Sequence, residues 1–169
     1  LQKTEERSVS SPGGNYAITI TLVTLSILCA VLVIYRLAPP SAQPADAPAT
    51  GFAAGRAMER LKMIARKPHP VGSAEHSEVR DYLFKQLADF GLNPEVQKSV
   101  AVGQQGRSSY AAASVQNIIG RIKGADSRQT VMLACHYDSV GLGPGASDDG
   151  ASVAALLEVI RALKAGPQL

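Results

Sequence analysis

The sequence contains no cluster of lysines and arginines. Its 17 basic and 14 acidic residues leave a net charge of +3 and lie scattered among one another. Nucleic-acid binding, which draws on a basic stripe with interleaved aromatics, is thereby set aside. Cysteine is scarce as well. Cys29 lies in an uncharged apolar run and Cys135 ends the run Val-Met-Leu-Ala-Cys, so pairing them would bring a membrane-type segment into a domain core. A disulfide scaffold is excluded, and both cysteines read as buried small apolar residues. There is no internal repeat and no Walker lysine, and Gly141, Gly143 and Gly145 do not complete a G-x-G-x-x-G pattern. A phosphate-cradling loop at that point would also set Asp148 and Asp149 against the anion, where N–H donors are needed.

Charge is missing altogether between Tyr16 and Tyr35, a segment rich in Ile, Leu, Val and Thr. As a helix rising ~1.5 Å per residue it spans roughly 30 Å, the hydrocarbon thickness of a bilayer. A signal peptide has an apolar region of only about 7–15 residues, and the nearest small-x-small cleavage pattern, Ala45-Asp46-Ala47, is remote from Tyr35. Lys3 and Arg7 precede the segment and Arg36 alone closely follows it, a bias toward a cytoplasmic N-terminus. The remainder is then expected outside the cytoplasm, in a periplasm or a secretory or vacuolar lumen, with the Ala- and Pro-rich stretch leaning toward a bacterial envelope. The expected organisation is a tail over 1–15, a transmembrane helix over 16–37 in contact with membrane lipid, a semi-extended Pro/Ala-rich linker over 38–50, and an α/β domain over 51–169. A start at Leu1 and a stop at Leu169, just after a predicted helix, lead us to expect the N-terminal part of a longer protein.

Within the domain, Ala54, Ala57, Met58, Leu61, Ile64 and Ala65 recur at helical spacing, predicting a helix over 51–66 with Arg56, Glu59, Arg60 and Lys62 elsewhere around the wheel. Ser73 is a plausible cap for a second helix that buries Val79, Leu83, Phe84, Leu87 and Phe90 and stops at Gly91. Strands are expected over 93–101, 114–123 and 130–136, the last covered on both faces, with a loop over 103–113. A final helix over 150–165 presents Val153, Leu156, Leu157, Ile160 and Leu163 on one face. This alternation predicts a layered α/β domain.

The chemistry concentrates in Ala134-Cys135-His136-Tyr137-Asp138-Ser139 and in Gly145-Ala146-Ser147-Asp148-Asp149-Gly150, a predicted strand end and a predicted helix start. Catalytic groups in open α/β sheets gather at carboxyl ends of strands. His136 is a zinc ligand by type, and Asp138, two residues on, could receive its other ring N–H. Taken alone, His-x-Asp is an ordinary hydrogen-bonded pair. Adjacent Asp148 and Asp149 repel each other unless a cation, protons or helix-terminal N–H groups compensate, although one could simply cap a helix while the other is solvated. His69, between two prolines, and His76, beside Glu75 at a helix start among exposed polar residues, read as structural or solvated rather than as ligands of a three-histidine site.

Together, His136-Tyr137-Asp138-Ser139 and Gly145-Ala146-Ser147-Asp148-Asp149-Gly150-Ala151-Ser152 resemble the H-x-D-S and G-A-x-D-D-x-x-S/G elements of the co-catalytic di-zinc aminopeptidases, family 28 of the metallopeptidases. Pro68-His69-Pro70-Val71-Gly72-Ser73 resembles the upstream segment of the membrane-bound branch, which includes the endoplasmic reticulum metallopeptidases. The likeness covers roughly residues 52–165. It implies a three-layer zinc-exopeptidase-like domain with a mixed sheet, incomplete here, and two zinc ions acting on a peptide substrate. By the same resemblance His136 binds one zinc, Asp148 bridges both, Asp138 orients His136, and a cis peptide links Asp148 to Asp149. The family's downstream Glu-Glu pair, further carboxylate and last histidine do not occur among residues 1–169, so the chain is expected to be inactive alone. Relatives of the fold that have lost the metal site and act as receptor-like binding proteins, and glutaminyl cyclases with a single zinc, are the alternatives.

Overall fold

The computed structural model describes residues 13–105, 109–125 and 128–167. Lys3, Arg7 and most of the expected N-terminal tail lie outside the described residues. The chain divides into two compact units, Leu1–Ser41 and Ala42–Leu169.

The first unit carries helix α1, Gly13–Leu37. Its Tyr16–Leu37 portion has a mean hydropathy of 2.7 and contains no buried residue, so length and composition suit a bilayer crossing. The threonines fit because their hydroxyls turn back on the helix. Thr21 Oγ1 donates to Ala17 O at 2.9 Å and Thr24 Oγ1 to Ile20 O at 2.8 Å, so both of these hydroxyls are paired within the helix.

The second unit contains α2 (Ala54–Ile64), α3 (Ala74–Asp89), a hairpin of β1 (Glu95–Gln105) and β2 (Ser109–Ile119), and α4 (Ala151–Ala165). Ser73 caps α3 by accepting the His76 N–H at 3.0 Å, as the sequence predicts. Gly91, at φ +75°, ends the helix in a left-handed turn in which the Leu92 N–H reaches Leu87 O at 3.1 Å and the Leu92 side chain returns to the core. Ile64, Val79, Leu83, Leu87, Leu92, Val153, Ala154 and Leu157 form that core. Each large side chain buried there contributes about 1.5–3 kcal/mol. Met58, Phe84 and Leu163, placed on buried faces by periodicity, lie toward the edge of the packing and are exposed.

Three strand expectations change. The segment 103–113 is not a loop over its described part: β1 and β2 run through it, pairing antiparallel from Glu95 opposite Ile119 to Gln105 opposite Ser109. Its Gly, Gln, Ser and Ala residues show no period-2 apolar pattern, because backbone hydrogen bonds rather than side-chain burial sustain the arm. The strand expected over 130–136 is absent from the described sheet, which holds only β1 and β2. Val131 and Met132 are 85% and 84% exposed, since a strand with two covered faces needs flanking strands and helices and none of the described elements supplies them. The segment over 114–123 becomes β2 only as far as Ile119.

The largest difference concerns charge. Glu158 on α4 is fully buried and receives Arg56 Nε at 2.9 Å, Arg60 Nη1 at 2.7 Å and Arg161 Nε at 2.8 Å. The Ala53 N–H, just ahead of α2, adds a bond of 3.0 Å. Arg56 and Arg60, which periodicity sets off the apolar face of α2, join α2 to α4. Their neighbours use the remaining donors: Arg56 Nη1 donates to Ala45 O and Ala47 O, both at 2.7 Å, and Arg161 Nη1 to Ala49 O at 2.6 Å. The second half of the stretch read as a linker is therefore strapped onto the folded unit. Gly55 permits this approach, because a Cβ there would lie 2.5 Å from Ala45 N.

Candidate metal centre

The site lies where the 130–140 segment meets the entry to α4. Gly145, at φ +65°, turns the chain so that the Gly150 N–H reaches Gly145 O at 2.9 Å, closing a wide turn over Ala146–Gly150. A Cβ on Gly145 would come within 2.8 Å of the Ser139 Cβ, so the turn sits directly against the HYDS segment. Asp148 (φ −129°, ψ 91°) and Asp149 (φ −123°, ψ 24°) leave helical geometry, and the peptide bond between them is cis.

His136 Nε2 lies 3.0 Å from Asp148 Oδ1. On the other side of the ring, Nδ1 is 3.2 Å from the Asp138 carbonyl and 3.4 Å from Asp138 Oδ1. Both ring nitrogens face acceptors, which suits a doubly protonated imidazole. Burial works against that charge, but the Asp148 hydrogen bond and the charge of Asp138 outweigh it, and the His136 pKa lies above 6.5. These groups line an open cleft of about 320 Å³ with Ser139, Val140 and Gly145. Cys135 stands half-buried behind it, its thiol pKa pushed up by burial and then by the Asp149 charge.

A nitrogen and a carboxylate oxygen 3.0 Å apart have the separation of two donors on one tetrahedral zinc, about 3–3.5 Å for bonds of about 2.0–2.2 Å. His136 and Asp148 are thus near enough to share an ion, at a separation that an imidazole–carboxylate hydrogen bond also has. Among the described residues no group of three or more His, Cys, Asp and Glu side chains gathers for a metal ion.

His69 and His76 are drawn into the structure differently from the sequence reading. His69 is buried, its Nδ1 2.8 Å from Lys67 O. His76, expected among exposed polar residues, is buried too, and its ring stacks on Tyr137 with centroids 4.7 Å apart and planes 6° from parallel. Burial lowers its pKa. Periodicity could not find this contact, because it joins the first turn of α3 to a segment sixty residues away. The Glu158 cluster did leave a signal: Ala154, Leu157, Glu158 and Arg161 share a helix face, so a charged pair interrupts an apolar stripe.

Comparison with known proteins decides the family. The profile of peptidase family M28 matches residues 117–169, which hold the whole site. Residues 117–169 carry a peptidase family M28 domain. The vacuolar membrane protease of Candida albicans is 36% identical over 102 residues, covering 60% of this chain and 12% of that protein. Mouse endoplasmic reticulum metallopeptidase 1 is 32% identical over 132 residues, 69% of this chain and 15% of that protein. The chain thus spans less than a fifth of the length of these M28 relatives. Among solved structures, a glutaminyl cyclase of Tannerella forsythia superposes with a TM-score of 0.51 at 22% identity, over 68% of this chain and 42% of that one. That likeness shows that the two chains share a fold.

Proposed function

We propose that the chain is the N-terminal portion of a membrane-anchored, zinc-dependent peptidase of the aminopeptidase type, with His136 and Asp148 as metal ligands. The observation that carries this reading is the 3.0 Å approach of His136 Nε2 to Asp148 Oδ1 beside an open cleft. His136 offers Nε2 to one ion, and Asp138 keeps Nδ1–H directed away from the cleft, which fixes the tautomer and the ring plane. Asp148, with its side chain 92% exposed at the turn, has a second oxygen free to reach another ion, as a bridging carboxylate requires. Zinc, when bound, supplies Lewis-acid activation of the scissile carbonyl and of the attacking water. The cleft is open enough for an extended peptide end to enter beside Val140 and Gly145.

No Glu-Glu pair from which to draw a general base follows Asp149 within residues 1–169; the one such pair, Glu5-Glu6, precedes the apolar helix. The chain assayed alone on aminoacyl reporter substrates with added zinc is therefore expected to show no turnover. Zinc-dependent turnover abolished by His136→Ala would mean that the catalytic groups are misassigned.

The apolar Tyr16–Leu37 helix, with Lys3 and Arg7 before it against Arg36 alone close after it, supports a crossing that leaves the peptidase unit outside the cytoplasm. The names of the relatives, a vacuolar membrane protease and an endoplasmic reticulum metallopeptidase, support a luminal setting. In sealed vesicles carrying a tag at each end of the chain, external protease is expected to remove the cytoplasmic N-terminal tag and spare the C-terminal one. Loss of the C-terminal tag alone would reverse the orientation.

A further inference from the structure

We infer that His76 and the Pro68-His69-Pro70 turn act as a clamp that positions the His136 and Asp148 pair, with His76 a positioning residue for that pair. The inference rests on the metal-site reading above and concerns what holds the ligands in place. A strand end in a complete sheet is fixed by ladder hydrogen bonds on both sides, but residues 130–136 have no ladder partner among the described residues. The geometry of His136 must come from elsewhere.

It comes from the residues that alternate with the site. Tyr137, between His136 and Asp138, lies flat on the buried His76 ring, and its hydroxyl donates to Gln116 O on β2 at 2.7 Å. Ser139, on the far side of Asp138, accepts the His69 N–H on Oγ at 2.7 Å and returns its own N–H to His69 O at 3.3 Å. Pro68 and Pro70 have no N–H, so within that triplet His69 offers the one backbone donor, and the fixed proline φ angles aim it at Ser139. His76 is fixed in turn, because its N–H is held by the Ser73 cap on the first turn of α3. Asp138 is thereby pinned on both sides, and through it the Nδ1 face of His136. Groups that orient a metal-binding histidine typically change metal affinity by roughly 10- to 100-fold when removed.

The test follows the His136 Nε2 resonance of the full chain in detergent micelles during titration with zinc alone. His76→Ala is expected to raise the half-saturating zinc concentration by roughly tenfold or more, and to increase amide mobility at residues 136–138 in the zinc-free protein. His76→Phe, which keeps a flat ring against Tyr137, is expected to restore the midpoint to within about threefold of the original. Equal midpoints for the unsubstituted chain and His76→Ala would overturn the clamp while leaving the metal reading intact. No response of His136 in the unsubstituted chain would overturn the metal reading, and the clamp with it. Should His76→Ala fail to fold, Ser139→Ala removes the side-chain acceptor of the His69 N–H and is expected to weaken zinc binding by about three- to tenfold. An unchanged midpoint in that variant would overturn the inference equally.

Discussion

Replacing Glu158 by alanine is expected to destabilise the folded unit by roughly 3–5 kcal/mol and to lower its melting temperature by roughly 10–20 °C. The carboxylate is fully buried and is the common acceptor of Arg56, Arg60, Arg161 and the Ala53 N–H. Its removal leaves three guanidinium groups facing one another across the α2–α4 contact, and it also releases the strap over 45–51 that Arg56 and Arg161 hold. Thermal unfolding followed by circular dichroism reads the loss, and a melting temperature within a few degrees of the original would contradict the role assigned to the cluster. The same residue predicts an acid transition. Burial opposes its ionisation, but the hydrogen bonds from Arg161, Arg56, Arg60 and Ala53 prevail and lower its pKa from 4.5 to about 2. Because the folded pKa is depressed, the stabilisation is present in full above about pH 4.5 and is lost as pH falls toward 2, with a total near 3 kcal/mol. In Glu158→Gln that part of the pH dependence is expected to disappear.

Asp148→Ala, introduced into the protein together with the remainder of an M28 domain, is expected to lower peptidase activity by about three orders of magnitude. A carboxylate shared by two ions carries several kcal/mol of transition-state stabilisation, and each 1.36 kcal/mol is a factor of about ten in rate. Because the Asp148 side chain is almost wholly exposed, its loss removes no core packing, so thermal stability is expected to stay within about 0.5 kcal/mol. Activity retained at full zinc occupancy would contradict a bridging role.

The helices were legible from sequence because burial imposes a period. Val79, Leu83 and Leu87 repeat at helical spacing between Ser73 and Gly91, and the cap, the stop and these three buried positions fall where the pattern puts them, while Phe84 lies exposed at the edge. The apolar α1 helix was readable for the same reason, with absence of charge as the signal. The hairpin arm was only half readable, since β1 and β2 over 103–113 are held by backbone bonds between residues without an apolar rhythm. The expectation for 130–136 shows the opposite limit: Val-Met-Leu-Ala-Cys has the composition of a covered strand, but composition cannot supply the neighbours that cover it. At the site, the spacing of His136, Asp138 and Asp148 and the turn glycines pointed to two segments that the structure brings together. The supports from Tyr137, Ser139, His69 and His76 were not readable, because contacts across long sequence separations leave no local pattern. Glu158 was only partly readable: the charged pair in the apolar stripe of α4 shows in the sequence, but the convergence of three arginines on it does not.

The claim on which the rest depends is that His136 and Asp148 bind one zinc ion, and the imidazole nitrogen spectrum of the chain during zinc titration tests it most directly. The expected result is a shift of His136 Nε2 at high zinc concentration, weak because two donors hold the ion, with no shift at buried His69 and His76 and no shift at His136 in Asp148→Ala. A zinc response at His69 or His76 with none at His136, or a His136 response that survives Asp148→Ala unchanged, would contradict it.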